Sequence, residues 1–210
     1  MSEKVDQGVI LVDPTGHSLN TTGFHISPRP SDLRGKRLGL LDNTKANAEV
    51  ILRKIAEILD AKYEFSGIYY TKKHSSNLPP KPEVLSDLHR YADIVIAGIG
   101  DWGACSSGSL HDGITLEQQG IPTVSIITDV FIPTAEAYTK VMGFTEFPYL
   151  SCQHPISNAS SVELEERAHL LAPMVERIFL KGTLGWDSYG GVPKTKNRKT
   201  RFLKSGLFRA

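Results

Sequence analysis

Along the chain, short runs of consecutive apolar residues alternate with longer segments whose apolar residues recur every three or four positions. The first pattern predicts strands buried on both faces, the second amphipathic helices. Strands are expected at Arg37–Asp42, Lys62–Tyr70, Ile94–Ile99, Ile121–Thr128 and Phe147–Cys152, with a further short one at Gly8–Asp13. Between them, Asn43–Asn47 opens a helix whose apolar face is Val50, Ile51, Ile55, Ile58 and Leu59. Glu83–Tyr91 is a second helix, and Leu110, Ile114 and Leu116 pattern a third that Gly120 ends. Thr134–Met142, stopped by Gly143, and the long amphipathic Glu163–Leu180 complete the set. Strand and helix alternate throughout. With right-handed crossovers this predicts an α/β fold, a single-domain doubly wound parallel sheet of flavodoxin-like size.

Two segments stand outside the alternation. His17–Asp32 is polar and aperiodic, with Pro28 and Pro30, and reads as an N-terminal arm; His17, His25 and Arg29 on it are expected to be solvated loop residues. Beyond Gly182 the chain turns basic and aromatic, so residues 1–182 are taken as the α/β domain and 183–210 as a C-terminal extension. Trp186, Tyr189, Phe202, Leu207 and Phe208 are costly to expose, which favours an arm packed on another subunit of a homo-oligomer, or on a hetero-subunit.

At 210 residues the chain suits one core. A net charge of +1 gives no global field for nucleic acid or an acidic membrane, and the basic cluster after Lys194 is too short to change that. No apolar run approaches the roughly 18 residues of a membrane span, and the N-terminus lacks a signal peptide's apolar region. A cytoplasmic protein is expected, with its two cysteines, Cys105 and Cys152, free.

The candidate chemistry gathers around Cys105. An apolar strand, the glycine-rich turn Gly98–Gly103 and a Ser/Gly cluster place this cysteine at the carboxyl end of a strand, where open α/β sheets bind ligands. With Ser107 or Ser109 as N-cap, unpaired N–H groups and the helix dipole favour thiolate over thiol, which makes Cys105 the candidate nucleophile. Asp101 and His154 are the candidates to manage its proton, with His111 as the reserve base. Asn43 and Lys45 after the first strand, Ser106 beside the cysteine, and Thr128 and Asp129 at the end of another strand are the expected contacts to a small, anionic substrate. All are expected in one cleft at the carboxyl edge of the sheet. Histidines and cysteines are scattered singly, so no metal spacing is present, and Gly98-Ile99-Gly100-Asp101-Trp102-Gly103 lacks a full dinucleotide fingerprint. No cofactor is expected.

The run Gly98–Ser106, with His111-Asp112-Gly113, Glu117, Gly120-Ile121-Pro122, Phe131 and His154-Pro155, resembles the family named for its UGSC motif, whose members include selenoproteins. Val12–Gly16, Pro28-Arg29-Pro30 and Leu41–Asn47 are similar to it as well, so the resemblance spans about residues 9 to 182. Where that motif begins with selenocysteine or cysteine this chain has Trp102, and Ala104 stands for its serine; Gly103 and Cys105 match. A two-thiol redox centre within the motif is thereby excluded. Three functional classes follow: an enzyme using Cys105 as nucleophile or acid/base in addition, elimination or hydrolysis at an activated carbon; a racemase or isomerase using Cys105 and Cys152 on opposite faces of a substrate; and a non-catalytic binding subunit of a larger complex.

Overall fold

The computed structural model describes residues 25–183. The expected strand Gly8–Asp13, His17 and residues 184–210 of the C-terminal extension lie outside the described residues.

Five strands form one parallel sheet: β1 (Arg37–Asp42), β2 (Gly67–Lys72), β3 (Ile94–Gly100), β4 (Thr123–Thr128) and β5 (Tyr149–Cys152), in the spatial order β2-β1-β3-β4-β5. The connecting helices are α1 (Ala48–Tyr63), α2 (Pro82–Tyr91), α3 (Gly103–Gln118), α4 (Ile132–Val141) and α5 (Ser161–Lys181), with a short 3₁₀ turn at Asp129–Phe131. This is the doubly wound, flavodoxin-like arrangement. Alternation along each strand decides which layer a residue meets. Leu38, Leu40, Ile94 and Ile96 pack under α1 and α5 through Ile51, Ile55, Leu171 and Val175. Leu41, Val95 and Ala97 turn the other way, onto Leu88 of α2 and Leu116 of α3. Gly39 sits where that second layer comes closest: a Cβ there would lie 2.8 Å from Ala92 Cβ.

Boundaries differ from the sequence pattern where tertiary contacts outweigh local propensity. Lys62 and Tyr63 belong to the last turn of α1 rather than to β2, because Tyr63 extends the buried stripe of Leu59 and Ala56. The helix ends at Glu64, whose φ of 49° is left-handed. The helix α5 opens with a reciprocal cap: Ser160 N–H donates to Glu163 Oε2 at 2.8 Å, and Glu163 N–H donates to Ser160 Oγ at 3.3 Å. It stops at Gly182, φ 70°.

The segment before β1 is ordered against the amino-terminal edge. Ser27 N–H and the Arg29 guanidinium donate to the two carboxylate oxygens of buried Glu117, at 2.6 and 2.7 Å, and Glu117 also accepts from Thr123 N–H at 2.7 Å. Arg29 is therefore a half-buried structural partner of Glu117 instead of a solvated loop residue.

Candidate functional site

The strand order reverses its direction of growth between β1 and β3, and at such a switch point the carboxyl ends of the two strands splay to leave a crevice. The loops that leave β1, β3, β4 and β5 meet at this edge. After β1 the backbone takes left-handed values at Thr44 (φ 71°) and Asn47 (φ 64°). A β-branched residue there is strained, which marks the loop as held in place by its surroundings. Asn47 supplies that hold: its amide donates to Ile156 O, Ser157 O and Ala159 O at 2.9, 3.2 and 3.1 Å. The first and last loops of the edge are thus fastened together.

Cys105 lies in the first turn of α3. The helix begins earlier than the Ser/Gly cluster suggested: Trp102 is the N-cap and Cys105 the third helical residue, so neither Ser107 nor Ser109 is the cap. The physical reason is that the thiol itself closes the turn. Sγ accepts from Asp101 N–H at 3.2 Å and Trp102 N–H at 3.0 Å, and its S–H donates to Trp102 O at 3.2 Å. Gly100 permits the tight approach, because a Cβ there would lie 2.6 Å from Ser106 Cα. Cys105 is 1% exposed, whereas the Trp102 side chain stands in solvent. Two backbone N–H groups thus converge on the sulfur at the amino-terminal end of a 16-residue helix.

Asp101 connects this thiol to the imidazole. Its backbone N–H reaches Sγ, while its buried carboxylate accepts from Ile156 N–H (2.9 Å), Ser157 N–H (2.8 Å) and Ser157 Oγ–H (2.5 Å). His154 Nδ1 lies 3.3 Å from Asp101 Oδ1. Burial works to raise the Asp101 pKa, but the hydrogen bonds from Ser157 and Ile156 and the nearby His154 outweigh it and hold the carboxyl below its ordinary range. His154 is fixed on its other sides as well. Nδ1 is 3.1 Å from Thr128 Oγ1, the His154 backbone N–H donates to Asp129 Oδ1 at 3.1 Å, and the ring meets Phe131 edge-on at 5.7 Å. The following residue is braced by α5, where Arg167 donates to Pro155 O at 2.5 Å.

Asp101, Cys105, Thr128, Asp129 and His154 are thus brought together. Asn43 is close to them but spent: buried, it donates to Ile99 O and Ser109 Oγ and accepts from Ile99 N–H, pinning β1 to β3 and α3. It is a structural bridge instead of the expected substrate contact. Lys45, in the same loop, is half-buried, and its Nζ has no ion-pair partner among the described residues. Ser106 is buried, and its Oγ has no hydrogen-bond partner among the described residues. His111 faces α4 instead, its Nδ1 3.0 Å from Tyr138 Oη, and burial with Lys73 nearby lowers its pKa. Cys152 donates to Ile127 O at 3.6 Å, and burial pushes its thiol up to about 12.

Sequence reasoning missed Asn47, Ser157 and the buried pair of Lys73 with Asp112 of α3, 2.6 Å apart. There burial raises the Asp112 carboxyl to about 6 in spite of the lysine. Asp112 Oδ1 has no hydrogen-bond partner among the described residues. The polar pair follows strand β2 and lies within a helix, so only the three-dimensional fold brings its members together. Among the described residues no three His, Cys, Asp or Glu side chains converge to hold a metal ion, and no helix is long and apolar enough to cross a membrane.

Residues 10–181 match the family model described as the UGSC family. Comparison with curated proteins and with solved structures finds no match.

Proposed function

The chain belongs to the UGSC family, and from its carboxyl-edge geometry we propose that it is a cysteine-dependent enzyme acting on a small, anionic substrate. The observation that carries this reading is the double role of Asp101, whose backbone N–H meets the Cys105 sulfur while its carboxylate holds His154. A nucleophile, a base and an orienting acid in one continuous arrangement is the general logic of activated thiols. In the reaction, Sγ bonds to an electrophilic carbon as its proton passes to the imidazole, and the imidazole returns that proton to the departing atom. Lys45, which has no ion-pair partner among the described residues, supplies beside the switch point the charge that favours an anion. Because Cys105 is 1% exposed, the reading requires local opening at the Asp101–Trp102 turn. The two free thiols suit a cytoplasmic setting.

The same burial favours a second reading, in which Cys105 is only the cap of α3 and the protein is a binding subunit. The two-cysteine racemase reading is weakened by Cys152, whose burial opposes the thiolate such chemistry needs. Activity screening against small carboxylates and activated esters or enones, with Cys105→Ser and Cys152→Ser beside the native protein, separates the three. The single-nucleophile reading expects a loss of about two to four orders of magnitude for Cys105→Ser and little for Cys152→Ser. Equal losses favour the isomerase, and full activity in Cys105→Ser rejects both enzymes.

A further inference from the structure

We infer that Thr128 is a positioning residue which, with Asp101, holds neutral His154 in its Nδ1–H tautomer and leaves Nε2 as the ring's proton acceptor. Two independent contacts at Nδ1 lead there. The Asp101 carboxylate takes donors from Ile156 and Ser157 and can only accept; 3.3 Å away, a lone pair on Nδ1 would face a negative oxygen, whereas an N–H is attracted. Thr128 has a single hydroxyl proton. Its Oγ1 lies 3.2 Å from Gly100 O, an oxygen that can only accept, and 3.1 Å from Nδ1. With the proton given to Gly100 O, the Thr128 oxygen accepts from Nδ1–H, and both contacts are satisfied at once. The opposite tautomer would force Thr128 to abandon Gly100 O and would set Nδ1 against Asp101. Phe131 against the ring and Asp129 on the His154 backbone keep the imidazole from rotating out of this frame.

The use of Nε2 in proton transfer rests on the cysteine-enzyme reading, but the tautomer does not. It can be read on the native chain without substrate, so failure of one leaves the other standing.

The test is a long-range ¹H–¹⁵N correlation spectrum of the full chain carrying ¹⁵N-histidine, at a pH where the imidazole is neutral. Among the seven histidines, the His154 pattern is assigned by its disappearance in His154→Gln. The expected result is a protonated, pyrrole-like Nδ1 and an unprotonated, pyridine-like Nε2. Thr128→Val keeps the shape of the side chain but removes one acceptor, which raises the ratio of Nε2–H to Nδ1–H by about fivefold, and Thr128→Ser returns it to the native value. A general loss of packing would broaden or shift many resonances without this tautomer-specific change and its rescue. An Nε2–H pattern in the native protein overturns the inference, as does a folded Thr128→Val protein with the native ratio. Should Thr128→Val not fold, Thr128→Ala, which removes the same oxygen, is read in its place, and a folded Thr128→Ala protein with the native ratio overturns the inference.

Discussion

Replacing Asp101 by asparagine alters one atom and should disturb the whole carboxyl edge. The native carboxylate receives Ile156 N–H on Oδ1 and both Ser157 donors on Oδ2. An asparagine side chain has one oxygen and one NH₂, so whichever way it is turned, at least one buried backbone N–H faces another donor. Hydrogen bonds to a charged group contribute about 1.5–3 kcal/mol each, and an unsatisfied buried donor costs a further ~1–3 kcal/mol. Allowing for relaxation of the loop, the expected loss is about 2–4 kcal/mol at pH 7. The pH dependence provides a second check. The Asp101 carboxyl is lowered in the folded protein from an ordinary value of 3.8. Its contribution is therefore present above the ordinary value and is lost as pH falls through the lowered one. Urea unfolding of both proteins at pH 7 and in steps below pH 4 measures the gap. It should narrow in acid; a loss under 1 kcal/mol at pH 7, or a gap independent of pH, would refute the assignment of this carboxylate as the clasp of the His154 loop.

Further outcomes follow from the same geometry. Asp112 titrates in the opposite sense: its folded value, about 6, lies above the ordinary 3.8, so its contribution is full below the ordinary value and falls as pH rises through 6. The stability of the native protein relative to Asp112→Asn, read by denaturant unfolding at pH 4 and 7, should be larger at pH 4; a constant difference contradicts the burial argument. Gly100→Ala would set a methyl 2.6 Å from Ser106 Cα and 2.7 Å from Ile127 Cγ2, and should lower stability by about 1–3 kcal/mol in thermal unfolding, with an unchanged melting temperature as the refuting result. Asn47→Ala releases three carbonyls of the His154 loop and should accelerate hydrogen exchange at Ile156 and Ser157; unaltered exchange there would show that the loop does not depend on this amide.

The layers and the sheet were legible in the sequence because their signals are local. Ile94–Gly100 is buried at every position and reads as a parallel strand from its composition alone, and the three-and-four spacing of Ile51, Ile55 and Leu59 marks the buried face of α1. Glycine punctuation placed Cys105 at a strand end. The helix start was less legible, because the Ser/Gly cluster imitates an N-cap that the thiol itself supplies from the third position. Asn43 looked like a ligand contact for the reason that makes it a bridge: a short amide at a strand end can reach donors and acceptors on either side, and here the adjacent β3 takes them. Asn47, Ser157 and the Lys73–Asp112 pair could not be found in this way, since each joins segments distant in sequence.

The central claim, that the Cys105 sulfur is a working nucleophile, is tested most directly by iodoacetamide labelling of the folded native protein at neutral pH, with each thiol followed by peptide mass spectrometry. The account predicts that Cys105 is modified first in spite of its deeper burial, that His154→Gln slows its modification, and that half-buried Cys152, its thiol pushed up to about 12 by desolvation, is modified more slowly. A Cys105 that labels no faster than Cys152 in the folded state, and reacts only after unfolding, would contradict it and leave the cysteine as the cap of α3.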